Sequence, residues 1–472
     1  MMPDFLKYVL YELKNSLGLV LLAGVLALAG LVIGYFIHKH KYKGEKKFPW
    51  ARIFLWLVFL GYLVIVVYAT MLRWSGFFHR EWNLQLFRAW REAWNNFSAK
   101  NWANVLLNVA LFVPMGFLLP LMGKKLRKWY VTIPAGFGAS LAIELFQLAM
   151  GRGICDVDDL FCNALGAAIG YFLIMTVLSA FSPKGKRAKP TVVYGGVALA
   201  LIMAVCSVFV VYQVKEYGNL PNAAAYTSNT RGTVWQLDCN LPEVGAETSV
   251  YRTQTRSIAQ CDAFAEDFKK IVGTEYTTIS YYQEAAYYMD QSGDENGTHF
   301  LFVSYLDHSY EYSYGRGDNP VWCDTDRQTI EAALSHLPVW IPTYAEFAVE
   351  GDGWHTFTVD KYIDGAVMVD GVLRCRYAAD GTVRKVENSL LSYTYHDTVD
   401  ILSPQDALAR MRDGKFGDGG YFESKKPADV RVLSCQLGYE IDTKGFYQPV
   451  YYFQVASQDG AYAYRIMIPA MK

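Results

Sequence analysis

The sequence predicts a polytopic α-helical membrane bundle of about six transmembrane helices, followed by an α+β extracytoplasmic domain. Three observations lead there. The 472 residues are 52% hydrophobic, a high share for a chain held wholly in water. The long apolar runs are confined to the part before Glu216. Charge divides at the same place: 23 Lys and Arg against 10 Asp and Glu through Glu216, then 21 against 35 from Tyr217 onward. The formal net charge of −1 therefore conceals a basic membrane region, residues 1–216, and an acidic domain, residues 217–472, with room for two subdomains. Nucleic-acid binding is disfavoured, since it needs a basic stripe on a water-soluble fold.

Six stretches are long and apolar enough to cross a hydrocarbon core: Ser16 to Ile37, Ile53 to Leu72, Val105 to Met122, Val131 to Met150, Leu160 to Phe181 and Thr191 to Val214. The first is too long for a cleaved signal and lacks a small-residue cleavage site, so it is expected to stay as a helix. Lys and Arg crowd three short loops, His38 to Arg52, Gly123 to Trp129 and Ser182 to Pro190. All three can be cytoplasmic at once, which places the N-terminus and the whole C-terminal domain outside a multi-pass cell-membrane protein. The loop Arg73 to Asn104, rich in Trp, is expected to lie on the outer surface as a partly amphipathic helix.

Beyond Tyr217 the texture becomes alternating and rich in tyrosine. Helices are expected at Ser257 to Val272, closed by Gly273; at Asp324 to Leu337, opened by a capping carboxylate; and after Ser403-Pro404, through Ala407 to Met411 and closed by Gly414. Strands are expected at Leu373 to Tyr377 and Val383 to Val386, a hairpin about Asp380-Gly381, and at Val430 to Tyr439, Val450 to Ala456 and Tyr462 to Ile468. Eight cysteines without a CxxC allow one or two disulfides but define no framework.

The candidate chemistry is polarity inside the membrane helices. Ser140, Glu144 and Gln147 share one helical face. An ionisable group at that depth costs about 2.5 to 3.5 kcal/mol, so it faces a bundle interior or a wet cavity and needs a partner. The loop that follows offers Arg152, Asp156, Asp158 and Asp159, and the next helix opens with Asn163 ahead of the small residues Gly166 and Gly170. Asn104 and Asn108 stand at the same end of the helix that contains Pro114 and Gly116. Three helices thus deliver Asn104, Asn108, Glu144, Gln147, Arg152, Asp156, Asp159 and Asn163 to one level. A structural cluster that sets helix register and a functional site stand side by side at this point. Neither a metal site nor a cofactor is expected, because the Asp loop lacks the length and terminal Glu of an EF-hand, and no Walker loop, GxSxG or HExxH occurs. Catalytic residues stay unassigned.

Asn104-Val-Leu-Leu-Asn108, Pro114-Met-Gly116, Glu144-Leu-Phe-Gln147, Arg152, Asp156, Asp159 and Asn163-Ala-Leu-Gly166 resemble, as an ordered set over about residues 57–180, the VanZ family of polytopic membrane proteins. The resemblance implies a role in the bacterial cell envelope linked to glycopeptide resistance, teicoplanin in particular, and no defined reaction. The leading helix, the last helix and the large C-terminal domain lie outside it. From Ile401-Leu-Ser-Pro404 to Val450-Tyr-Tyr-Phe453 the chain is similar in texture to PepSY-like and YycH/YycI-like domains, which implies a regulatory or binding module. The leading expectation is an outward polar site that engages a membrane amphiphile, a lipid-linked cell-wall intermediate or a glycopeptide. Arg152 would meet an anionic headgroup, Glu144 would hold a proton or orient the loop, and the exterior domain would meet an envelope protein. The alternatives are a membrane enzyme using Glu144 and Asp159 as acid and base, and an anchor that presents a sensor domain.

Overall fold

A computed structural model describes residues 25, 29–30, 32–36, 39–40, 50–72, 79–182, 188–220, 228–282, 284–290, 297–315, 319–416, 429–457 and 463–472, without the side chains of residues 71–72, 79–81, 152–154 and 188. Most of the predicted helix Ser16 to Ile37 lies outside the described residues. The chain divides into a helical unit and a sheet-rich unit that takes in Lys215 to Lys472.

Among the described residues, five helices of the first unit are long and apolar enough to span a membrane. They are α1 (Trp50–Val67), continued by a π-helical turn (Tyr68–Leu72), α3 (Ala99–Met122), α4 (Trp129–Met150), α5 (Val157–Ala180) and α6 (Ala188–Val214). The Trp-rich loop supplies a strand β1 (His79–Asn83) and the short helix α2 (Arg88–Asn96), and β1 pairs in parallel with β2 (Arg152–Asp156). The sequence predicts a helix in this loop but not the strand. Helix α3 begins at Ala99, ahead of the apolar run that opens at Val105, because Lys100, Asn101 and Asn104 do not interrupt the backbone ladder.

Helices α3 and α5 cross closely because both carry glycine at the contact. A Cβ on Gly166 would stand 1.9 Å from the Val109 carbonyl oxygen, and one on Gly170 would stand 2.0 Å from that of Val113. No side chain fits there, so small residues set the interaxial distance, as the sequence spacing implied. Around the crossing, Phe112, Met115, Leu119 and Ala167 pack with Tyr62 and Val66 of α1. At the end that carries the Lys/Arg loop, Tyr171 donates to the Arg127 carbonyl at 2.8 Å and Thr132 to that of Leu126.

In the second unit, helix α7 (Ile258–Val272) is followed by the meander β5 to β8 (Thr278–Tyr281, Ala285–Met289, Thr298–Ser304, Tyr310–Gly315). Helix α8 (Arg327–Leu334) is followed by β9 to β12 (Glu346–Gly351, Trp354–Asp364, Val367–Tyr377, Val383–Asn388). Helix α9 (Pro404–Arg412) is followed by β14 to β16 (Asp429–Ile441, Phe446–Ser457, Ala463–Pro469). A helix followed by an antiparallel meander therefore recurs three times among the described residues. Strands β3 (Val234–Leu237), β4 (Glu247–Arg252) and β13 (Leu391–Asp400) stitch the meanders into one 14-stranded sheet.

The helix ends follow local chemistry. Ser257 and Gln260 form a capping box, and Gly273 closes α7 at φ 70°. Ser403 caps α9 ahead of Pro404. For α8 the capping carboxylate is Asp326; Asp324 instead accepts the Gly353 N–H at 2.8 Å. All eight cysteines are free thiols. Two large apolar cores stand out among the described residues of the unit. In one, Phe268, Ile330 and Leu334 pack on Leu301, Phe357 and Leu373; in the other, Leu408 and Met411 pack on Val432, Phe453 and Ile468. The start of the unit is pinned by the fully buried Asp442, which accepts hydrogen bonds from the backbone N–H groups of Gly218 at 2.6 Å, Lys444 at 2.7 Å and Phe446 at 3.0 Å.

Candidate functional site

The predicted polar residues converge where α4 ends and α5 begins. Gly151, at φ 66°, terminates α4 and turns the chain into β2, and Asp156 then caps α5, its Oδ1 accepting the Asp158 N–H at 2.8 Å. Glu144 is 3% exposed, and its Oε2 accepts the Asp156 N–H at 3.1 Å. The Asp156 carboxylate is tied on its other oxygen by Asn83 Nδ2 at 2.9 Å, at the β1–β2 register pair Asn83↔Asp156. Burial pushes Asp156 above the usual carboxylate range, while the Asn83 and Asp158 hydrogen bonds pull it back down.

Asp158, fully buried, works for another helix. Its two oxygens accept the backbone N–H groups of Phe87 and, at 2.6 Å, Ala89, so it caps the start of α2 from a distant part of the chain. That anchor also holds Phe87 at φ 66°, a left-handed backbone that a bulky residue rarely adopts. Asp159 faces α3, where Asn108 Nδ2 donates to its Oδ1 at 2.5 Å. One turn further along α5, Asn163 Nδ2 donates to Ser140 Oγ of α4 at 2.8 Å.

The structure therefore links Asn108, Glu144, Asp156, Asp159 and Asn163 through one short stretch of chain, and adds Asn83, Ser140 and Asp158. Two predicted members stand apart. Asn104 has an exposed side chain. Gln147 spends its amide on the Thr70 carbonyl at 2.7 Å, in the π-helical turn, whose wider hydrogen bonding leaves backbone acceptors over. The side chain of Arg152 lies outside the described residues, although its backbone sits in β2 opposite His79. Asn83 and the capping by Asp158 escaped the sequence reading, because both depend on a loop returning from over 60 residues away. Among the described residues no group of His, Cys, Asp and Glu is arranged to hold a metal ion.

Two features bear on chemistry. Every carboxylate of the cluster already accepts at least one N–H from the chain, so the cluster is rich in acceptors. Asn163, 5% exposed, has a buried Oδ1 with no hydrogen-bond partner among the described residues. Exchanging its amide oxygen and nitrogen would satisfy Ser140 equally and strand the nitrogen instead, so one polar atom of Asn163 is open in either orientation.

Comparison with known proteins gives one assignment. Residues 52–179 match the family model described as VanZ/LLP1. Among solved structures, the Bacillus megaterium YpeB C-terminal domain aligns at 13% identity over 46% of this chain and 95% of that chain, with a TM-score of 0.14, a likeness too weak to carry an argument. The curated proteins contain no match.

Proposed function

With residues 52–179 a VanZ-like membrane domain, we propose that the Glu144–Asp159–Asn163 cluster is an outward-facing site that engages the polar head of an envelope amphiphile. The class is a lipid-linked cell-wall intermediate or a glycopeptide, which connects the protein to glycopeptide (teicoplanin) resistance, and the sheet-rich unit modulates this step from outside the membrane. The observation that carries the reading is the open polar atom of Asn163. A buried polar group without a partner costs about 1 to 3 kcal/mol, and it lies one turn below Asp159 inside a span of apolar helices. The acceptor-rich cluster favours a donor, such as a sugar hydroxyl, an amide or an amine; an anionic phosphate on the same ligand would fall to Arg152.

Outward orientation rests on the Lys/Arg loops. In a background whose eight native cysteines are replaced by serine, a cysteine placed at the exposed Glu243 is expected to react with an impermeant thiol reagent in intact cells, and one placed at Lys186 to stay unlabelled; the reverse pattern would turn the cluster to the cytoplasm and remove the reading.

Glu144→Gln tests the role of the cluster. Glutamine keeps an acceptor for the Asp156 N–H, so the fold is expected to hold, while the carboxyl group and its ability to give up or take a proton are lost. Ligand affinity and resistance are expected to fall by about three- to tenfold, as for the loss of one hydrogen bond. Turnover lost with affinity intact would instead assign an acid–base enzyme, and no change in either would leave an anchor.

A further inference from the structure

The sheet-rich unit holds a second polar feature, unrelated to the membrane cluster and beyond the function proposed above. A cavity of about 800 Å3 opens between the end of β4, the start of α7, the β7–β8 turn and β13. That volume is in the range of small-molecule sites. Its wall carries the cationic side chains of Arg252 and Arg256 together with His308, and no Asp or Glu lines it.

Arg256 is placed, not loose. Its backbone N–H donates to the Tyr305 carbonyl at 2.8 Å, and its guanidinium lies 4.5 Å from the centroid of the Phe264 ring. Yet Nη1 is buried and has no hydrogen-bond partner among the described residues. Three other arginines of the unit are held by carboxylates: Arg327 by Glu331, Arg374 by Glu350 and Arg431 by Asp238. The neighbouring carboxylate, Asp307, does not hold Arg256; its Oδ1 accepts from the backbone N–H and the hydroxyl of Ser309. Arg252 likewise makes no ion pair among the described residues and lies over the Phe446 ring at 4.8 Å. The positive field acts on His308, which burial and the Arg256 charge together push below its ordinary value. The rest of the wall is mixed: Gln254, Asn388 and Ser392 add neutral polar groups, and Phe264, Tyr393 and Trp340, the last 53% exposed, supply an apolar, aromatic side.

We propose that this cavity is a binding site for an oxyanion, a carboxylate or a phosphate, carried on an apolar or aromatic body. The anion satisfies the orphaned Arg256 Nη1 and is shared with Arg252, because a guanidinium fork matches either group with two parallel hydrogen bonds. The body lies on Trp340, whose open face offers a large contact at little entropic cost.

Isothermal titration of the full-length protein in detergent tests this with N-benzoylglycine, phenyl phosphate and inorganic phosphate. One aromatic anion is expected to bind at one site per chain, and which one tells a carboxylate source from a phosphate source. Inorganic phosphate should bind about tenfold more weakly or worse, since it forgoes the apolar wall. Arg256→Gln is expected to weaken binding about tenfold or more, the loss of a charge-assisted hydrogen bond. Trp340→Ala, at an exposed position that leaves the fold intact, should also weaken it without moving the unliganded melting temperature. Absence of binding by both aromatic anions, binding insensitive to both substitutions, or inorganic phosphate binding as tightly as phenyl phosphate would overturn the proposal.

Discussion

Gly166→Ala is expected to destabilise the helical unit by about 2 to 3 kcal/mol, the upper part of the range for overpacking. The added Cβ would meet the Val109 carbonyl oxygen at 1.9 Å, and the obstacle is backbone, which cannot rotate away. The α3 and α5 helices must separate, and the Asn108 to Asp159 hydrogen bond that spans them stretches with the crossing. Gly138→Ala on α4 is the control: nothing lies within 4 Å of its Cβ, and the helix propensity of alanine should leave it neutral or slightly stabilising. Thermal unfolding in detergent reads both. A Gly166→Ala protein as stable as the Gly138→Ala protein would mean that the helices are not in contact at this point.

The second large effect is expected at Asp158. Asp158→Ala removes the acceptor of two backbone N–H groups, at Phe87 and Ala89, and leaves the first turn of α2 uncapped. Two orphaned donors and a lost cap together amount to about 2 to 4 kcal/mol. Asp158→Asn keeps one acceptor oxygen and should lose about half as much, on the same per-bond figure. Hydrogen exchange adds a local signature: the Phe87 and Ala89 amides should exchange much faster in Asp158→Ala, whereas unchanged protection would show that Asp158 does not cap α2. The position of Asp158 between Asp156 and Asp159 makes this result informative about the cluster, since the anchor fixes the loop that presents both neighbours.

Much of this arrangement is legible in the sequence for a physical reason. Polar residues stand out inside apolar runs, and the 3.6-residue period places Ser140, Glu144 and Gln147 on one face without knowledge of any neighbour. The spacing of Gly166 and Gly170 announces a close crossing in the same way. Caps are also local, so Ser257 with Gln260 and Ser403 with Pro404 mark helix starts from a few residues. What escapes is whatever depends on distant chain. The five-residue strands β1 and β2 are too short to show alternation, and each exists only because the other is beside it. Gln147 reads as a site residue until the π-helical turn supplies the Thr70 carbonyl that engages it. Strand order has the same character: β3 lies beside β14 and β4 between β13 and β15, pairings that join the start of the unit to its end and leave no trace in either segment alone.

The central claim, that the cluster holds part of an amphiphile, is tested most directly by what the protein carries out of the membrane. Detergent-extracted wild-type protein and an Asn163→Leu variant, matched for thermal stability, are compared by native mass spectrometry and by analysis of the extracted lipid. The account predicts that wild-type protein retains a saccharide- or peptide-bearing amphiphile at about one per chain, as a single site requires, and that Asn163→Leu, which removes the open polar atom, loses it. Identical bulk phospholipid on both proteins, with no bearer of sugar or peptide on either, would contradict the account and leave the cluster as the bolt that sets the register of α3, α4 and α5.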